Sequence, residues 1–300
     1  MQKYINPYTD FGFKKLFGEE ANKDLLIDFL NAILPEKHRV MTLEFRNPEH
    51  LGAAANERRA VFDVFCDAEN GDKFIVEMQK EDQEFFKDRS IFYSTHLIQE
   101  QGQKGKWNYE LKAVYFVGIL DFIYDKKEPD PILIRRVNLK DQNGTVFYKK
   151  LQYIYLQMPV FNKTESELVT PEDKWLFFLK NLPSLDHIPA ILGEEVVFRK
   201  AFHTAEVAAM SKKDRDSYFY EQKQYWDYWS TFTTAEKNAE EKGEAKGIAK
   251  GIAKGLAKGL AKGKAEERTA IALGMKKDGV DSKLIAKYTG LSPDEIERLN

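Results

Sequence analysis

Three polar side chains in the first third of the chain are set among apolar neighbours. Asp63 lies in Ala60-Val61-Phe62-Asp63-Val64-Phe65-Cys66-Asp67-Ala68, and Glu77 and Gln79 lie in Lys73-Phe74-Ile75-Val76-Glu77-Met78-Gln79. Both runs have the β-branched and aromatic character of strands. Successive side chains of a strand point to opposite faces, so Glu77 and Gln79 share one. Glu69-Asn70-Gly71-Asp72 between the runs reads as a hairpin turn, because Asn-Gly tolerates the positive φ that such turns need. A suitable register then sets Asp63 beside Glu77. Charge inside an apolar strand is expensive unless it is paired or bound to metal. One solution is a divalent cation. Mg²⁺ is held by one or two carboxylates with water and substrate phosphate, and it polarises phosphate and generates hydroxide from water. The other solution is an edge hairpin on which Asp63 and Glu77 face solvent or pair with Arg58 or Lys73.

Positioning such a pair takes a sheet and its supports. Thr9-Asp10-Phe11-Gly12-Phe13-Lys14-Lys15-Leu16-Phe17-Gly18 reads as a helix with Asp10 as N-cap and Gly18 as stop. A second helix runs from Asn22 to before Pro35, burying Leu25, Leu26, Phe29, Leu30, Ile33 and Leu34 on one face. Met41 to Arg46 is a weak strand signal. A helix is predicted over Phe85 to Gln101, and a central strand over Ala113 to Phe122. Two strands around Ile132 to Leu139 and Thr145 to Gln157 form a hairpin across Asp141-Gln142-Asn143-Gly144. From Thr170 the texture is helical, with Pro171 at the first position, and helices are predicted over 171–181, 189–209 and 213–240. This order gives an α/β core followed by a helical extension.

Composition bounds the function. The chain has 300 residues, is 43% hydrophobic and 31% charged, and has one cysteine, so a disulfide scaffold and a Cys-rich zinc module are excluded. Cys66 reads as a buried small hydrophobe. The five histidines show no ligand spacing. The longest clean apolar run, Ala113 to Leu120, falls well short of the roughly twenty residues of a membrane helix. The first residues carry no apolar signal core. A cytoplasmic protein without membrane contact is the expectation.

Charge is unevenly spread. Residues 243–277 hold nine basic and three acidic side chains, a net of +6 against −2 for the whole chain. This basic stretch is either a handle for nucleic acid or a solvated lysine face. Within it, glycines recur every four residues from Gly243 to Gly263, with lysines from Lys242 to Lys262 and alanines from Ala245 to Ala265. Ile248, Ile252, Leu256 and Leu260 form a stripe that drifts about 40° around a helix with each repeat. Each interior glycine costs about 1 kcal/mol relative to alanine. The repeat reads as a helix or helical linker in preference to a flexible spacer, and its spacing matches no phosphate-binding fingerprint. At the end of the chain, Ser282 to Tyr288, the turn Thr289-Gly290-Leu291 and the capping box Ser292-Pro293-Asp294-Glu295 outline helix, turn, helix. Asp294, Glu295 and Glu297 repel phosphate, so packing against a partner helix or the main body is favoured over DNA reading.

Asp63 followed by Glu77-Met78-Gln79 resembles the Asp…Glu-x-Lys core of PD-(D/E)XK nucleases. More narrowly, the chain resembles the Rpn family of recombination-promoting nucleases/transposases. The features that carry this are Thr9 to Phe17, Phe86-Lys87-Asp88-Arg89-Ser90-Ile91-Phe92-Tyr93, the strand from Ala113, the Gly-Lys repeat and Thr289-Gly290-Leu291-Ser292, in that order. The resemblance implies an α/β, restriction-endonuclease-like mixed sheet flanked by helices, with a C-terminal helical extension. The implied division is a nuclease-like core over 1–165, a helical extension over 166–240, the repeat over 241–267 and a small helical motif over 268–300.

The resemblance also implies a Mg²⁺-dependent (or other divalent-cation-dependent) DNA endonuclease associated with recombination or mobile elements. Asp63 and Glu77 match the metal-binding acids. Gln79 stands where many such enzymes have lysine, and Rpn relatives share that glutamine. It cannot supply positive charge or act as a base, but its amide can orient water. Lys80 is adjacent but belongs to the opposite face. Arg89 and Tyr93, four apart on one helix face, either touch substrate phosphate, or Tyr93 serves the core edge and Arg89 pairs with Asp88 or Glu77. Lys14 and Lys15 either bind DNA backbone or form the solvated side of a helix whose Phe11, Phe13 and Phe17 pack inward. DNA is the expected partner, with a homo-oligomer through the repeat as a further expectation. The alternatives are a catalytically inactive DNA-binding or oligomeric interaction protein on a nuclease fold, and a helical adaptor that self-associates through the repeat.

Overall fold

The computed structural model describes residues 2–35, 38–46, 63–127 and 129–299, and they divide into two units, one ending at Tyr225 and one starting at Trp226. The first unit is organised by a six-stranded sheet. Its strands are β1 (Leu43–Phe45), β2 (Val64–Ala68), β3 (Lys73–Gln79), β4 (Val114–Leu120), β5 (Ile134–Lys140) and β6 (Val146–Gln157), in the spatial order β1-β2-β3-β4-β6-β5. The β2–β3 hairpin turns on Gly71 at φ +84°, the left-handed region that glycine enters without penalty. Ala60 to Phe62, the start of the strand expected around Asp63, lie outside the described residues, and β2 begins at Val64. β3, β4 and β6 run parallel, while β1–β2–β3 and β5–β6 pair antiparallel. Every residue of β4 is buried, as its continuous apolar run predicts for a central strand.

Alternation along the strands divides the core in two. Val64, Cys66, Phe74, Val76, Tyr115 and Val117 face a layer built from α1 (Asp10–Phe17), α2 (Lys23–Ile33), α4 (Pro171–Asn181) and α6 (Val196–Ala205). An aromatic cluster binds these helices together: Phe17 lies 5.2 Å from Phe29 and 5.7 Å from Trp175, centroid to centroid. The Trp175 indole N–H donates to Asp28 at 2.7 Å, so the buried ring keeps its polar atom satisfied. The opposite sheet face, with Phe65, Ile75, Phe116, Tyr153 and Tyr155, is covered by α3 (Phe86–Glu100) through Phe86 and Leu97. This is the restriction-endonuclease-like α/β arrangement of a mixed sheet flanked by helices.

Several local expectations are corrected. Thr9, not Asp10, caps α1, its hydroxyl accepting from the Gly12 N–H at 3.0 Å. Asp10 becomes the first helical residue and pairs with Lys14 at 2.7 Å. Phe13 and Phe17 are fully buried, whereas Phe11 is half-buried against Tyr218. The helix expected over 189–209 is broken into α5 (Ala190–Gly193), α6 and a 3-10 turn at Val207–Ala209. The helix expected to end at 240 instead forms part of α7 (Lys212–Lys277), which carries the whole Gly-Lys repeat. The repeat is helical because Ala, Lys, Ile and Leu between the glycines restore helix propensity.

The second unit closes on a small core of Ala272, Ile285 and Ile296, supplied by the end of α7, α8 (Ser282–Thr289) and α9 (Pro293–Glu297). Gly290 ends α8 at φ +71°, and the Ser292–Glu295 capping box starts α9. Lys276 donates to the carbonyls of Ile296, Glu297 and Leu299, satisfying groups that the short α9 leaves unpaired. Among the described residues, no helix is long and apolar enough to cross a membrane.

Candidate active site

The hairpin register pairs Val64 with Val76, so the next step outward brings Asp63 opposite Glu77. Asp63 is fixed there by a reciprocal pair of hydrogen bonds. Its backbone N–H donates to Glu77 Oε1 at 3.1 Å, and its Oδ2 accepts from the Met78 N–H at 2.7 Å. Each carboxylate therefore holds the other's strand and keeps one oxygen, Asp63 Oδ1 or Glu77 Oε2, without a hydrogen bond to the described residues. Gly118 of β4 is the partner of Glu77, and a Cβ there would press on Tyr155 Cδ1 at 3.0 Å. Absence of a side chain at this position lets Tyr155 and Phe86 close the floor of the site.

Burial dominates the electrostatics. Glu77 is only 5% exposed, and desolvation together with the neighbouring Asp63 charge pushes its pKa well above the ordinary range. Asp63 is pushed up to about 6, first by burial and further by Asp10, against the opposing pull of the Met78 N–H, Lys14 and Arg89. The phenol of Tyr93 is likewise raised, by burial and then by Glu77. Two desolvated acids of like sign side by side make a site short of positive charge among the described residues.

Helix α3 brings part of that charge. Its inward residues Ser90 and Ser94 are small and lie one turn apart. Their hydroxyls meet the phenols of Tyr155 and Tyr153, each at 2.7 Å. These two buried contacts set the roll of the helix and turn Arg89 and Tyr93 toward the acids. The Arg89 guanidinium donates to Gln79 Oε1 through Nη2 and to Gln83 Oε1 through Nη1, the latter at 2.7 Å. Gln79, 8% exposed, uses its amide nitrogen on the Glu81 carbonyl at 2.8 Å. Lys80 points away, its ammonium 3.4 Å from the centroid of Tyr225. The cation next to position 79 is thus Arg89. Among the described residues Arg89 bonds Gln79 and Gln83, and no ion pair with Asp88 or Glu77 forms.

Asp63 opens onto a cleft of about 830 Å³, also lined by Asp10, Lys14, Arg46, Phe65 and Glu221. Glu221 Oε2 accepts from the Phe11 N–H at 2.8 Å, which ties the start of α7 to the start of α1. Lys14 is half-exposed beside Asp10, whereas Lys15 is spent on Glu19 and Asp214. Asp10 and Glu221 were not read from the sequence as site residues. Asp10 carried only a capping signal, and Glu221 reaches the cleft through a packing that no local pattern encodes.

The donor set suits a hard divalent cation, because Asp63 Oδ1 and Glu77 Oε2 are left over and, among the described residues, Lys14 and Arg89 offset the two acids only in part. Among the described residues, no group of three or more His, Cys, Asp or Glu side chains is placed to hold a metal ion. A cation at Asp63 and Glu77 would therefore complete its shell with water and substrate oxygens, as Mg²⁺ commonly does. Cys66 is buried in the sheet with its thiol pushed up by burial, which removes it as a nucleophile.

A sequence model of the family described as PD-(D/E)XK nuclease family transposase matches residues 7–235. The chain belongs to this family. The matched span takes in α1, the acid pair, α3 and the whole sheet, and ends before the Gly-Lys repeat. Membership supports a nuclease- or transposase-associated role. No curated protein and no solved structure matches the chain.

Proposed function

We propose that the protein is a Mg²⁺-dependent DNA endonuclease of mobile-element or recombination character. The observation that carries this reading is the buried Asp63–Glu77 pair, cross-bonded through the backbone, with Asp63 lining a cleft. Asp63 and Glu77 supply the anionic oxygens that hold the cation. Bound there, a divalent cation polarises a phosphate oxygen and lowers the pKa of water. Gln79 retains one amide N–H and one carbonyl lone pair beyond its present bonds, and these orient the attacking water. Arg89 contributes the positive charge that glutamine lacks and stabilises charge building on the phosphate. Lys14 and Tyr93 contact the DNA backbone. In-line attack by water breaks the P–O3′ bond, leaving a 3′-hydroxyl and a 5′-phosphate.

A second reading, a DNA-binding protein that keeps the fold without cutting, draws on the engagement of both ends of the Gln79 amide by Arg89 and Glu81. One experiment separates them. Supercoiled plasmid is incubated with the full chain in Mg²⁺ and in chelator, beside Asp63→Asn and Glu77→Gln variants shown to be folded by circular dichroism. Nicking only with metal, lost by at least about a hundredfold in both variants, supports the enzyme. Binding without cutting supports the second reading, and cutting by the variants removes the assigned site.

A further inference from the structure

We propose that the loop Gly102–Lys112 is a stacking platform for unpaired DNA bases, so that the substrate engaged at the acid pair is single-stranded or locally opened. The proposal rests on the nuclease reading for its choice of nucleic acid and on the loop for its choice of strand state. The loop leaves the end of α3 and returns into β4. Its base is pinned: the Lys112 N–H donates to Gln101 Oε1 at 2.7 Å, and Lys150 of β6 donates to the Leu111 carbonyl at 2.7 Å. Between these ties the rings of Trp107 and Tyr109 lie 4.8 Å apart at 34°, with Trp107 half-buried. Tyr109 is 79% exposed and holds φ at +61°, a conformation that non-glycine residues rarely adopt. Gly105 turns the chain at φ +91° between Lys104 and Lys106.

An exposed tyrosine backed by a half-buried tryptophan, in a loop that carries three lysines, has a definite chemical complement. Bases present a π-face to such rings only when they are not sandwiched within a duplex, and lysines answer the phosphates that follow each base. Lys104, Lys106 and Lys112 against the single acid Glu110 make the loop net positive. Its place in the fold fits a strand path. Arg46 lines the cleft beside Asp63 and is ion-paired with Glu100 at the end of α3, directly before the loop. From Arg89 to Glu100 is eleven residues, about 16 Å of helix. A single strand leaving the acid pair along α3 reaches the rings within a few nucleotides.

The test is a fluorescence-anisotropy titration of the full chain in chelator. The probes are a labelled oligothymidylate of about sixteen nucleotides, within the site sizes known for single-strand binders, and a duplex of equal length. Replacing both rings (Trp107→Ala with Tyr109→Ala) is expected to weaken oligothymidylate binding about tenfold or more, the scale of losing base stacking. Duplex binding is expected to change far less. The pair Trp107→Phe with Tyr109→Phe keeps the rings and is expected to keep the affinity, which separates stacking from misfolding. Equal weakening on both probes, or none on the single strand, overturns the proposal. So does a loss of dimer in sedimentation velocity on removing the rings, which would make them a contact between copies. Because metal is absent, the outcome is independent of cutting. Plasmid cleavage with ring-independent binding leaves the nuclease and removes the platform, while ring-dependent binding without cleavage does the reverse.

Discussion

Residues 63–93 and residues 243–263 are both conspicuous in the sequence, and the chain treats them in opposite ways. In the first stretch, Glu77 and Gln79 are buried, and hydrogen bonds from Asp63, Met78 and Arg89 fix the polar groups around them. In the second, every residue is exposed, and a Cβ added at any of its glycines would meet nothing within 4 Å. Side chains in the acid site act through one another, so single changes there should be large and non-additive. Residues of the repeat act through their own helix, so changes there should be small and additive.

The largest effect that sharpens this contrast concerns Arg89. Arg89→Ala should slow plasmid cleavage by about a hundredfold, the scale of one lost electrostatic contact in a site. Adding Gln79→Lys should recover part of the rate, because it returns a cation to the place the guanidinium occupies beside Gln79. A double variant no faster than Arg89→Ala alone would mean that Arg89 only packs.

The next effect is thermodynamic. An unfolded aspartate releases its proton near 3.8, whereas Asp63 in the fold is pushed up to about 6. Between these values the folded chain holds a proton that the unfolded chain has lost, so this group's contribution to stability falls as pH rises through the window and stays low above it. In chelator at about pH 7, Asp63→Asn should be more stable than wild type by about 1–3 kcal/mol, a gain that vanishes near pH 4. Mg²⁺ should raise the wild-type melting temperature more at about pH 7 than at about pH 5, and should leave the variant unmoved. Denaturant or thermal unfolding across pH measures both. A wild type that is the more stable at neutral pH in chelator would contradict the buried-charge account.

The smallest effect belongs to the repeat. Gly251→Ala and Gly255→Ala should each stabilise the helix by about 1 kcal/mol, adding when combined. Circular dichroism melting reads this directly. If these changes instead cut plasmid cleavage as deeply as Arg89→Ala, the repeat is part of the site and the contrast between the two regions breaks.

How much of this was legible before the fold depends on the range of the interaction concerned. That Asp63 and Glu77 lie on the two strands of one hairpin follows from Asn70-Gly71, but their register does not: a two-residue turn there would set Asp63 opposite Met78, and it is the three-residue loop, with Ala68 bonded to Asp72, that sets it opposite Glu77. The two-faced packing of β2 and β3 and the capping of α4 by Thr170 are also local. Arg89 against Gln79 was not legible, since it depends on Ser90 and Ser94 meeting Tyr155 and Tyr153. That in turn requires β6 to lie beside β4, a parallel pairing set by tertiary structure. Glu221 beside Phe11 crosses most of the first unit and leaves no periodic trace. Thr9 and Asp10 are both good N-caps, and only the geometry of the chain entering α1 chooses between them. The repeat gave its helix locally but not the helix's limits, because neither glycine nor proline stops the chain between Lys212 and Lys277 in a way that the surrounding helix formers do not override.

The central claim is that Asp63 and Glu77 together hold one divalent cation. The most direct measurement is an electron paramagnetic resonance titration of Mn²⁺ into the full chain, wild type and Glu77→Gln, at neutral pH with folding verified. The account predicts one Mn²⁺ site per wild-type chain, absent from the variant and displaced by Mg²⁺. Equal Mn²⁺ uptake by both proteins, or none by wild type even with single-stranded DNA present, would contradict it.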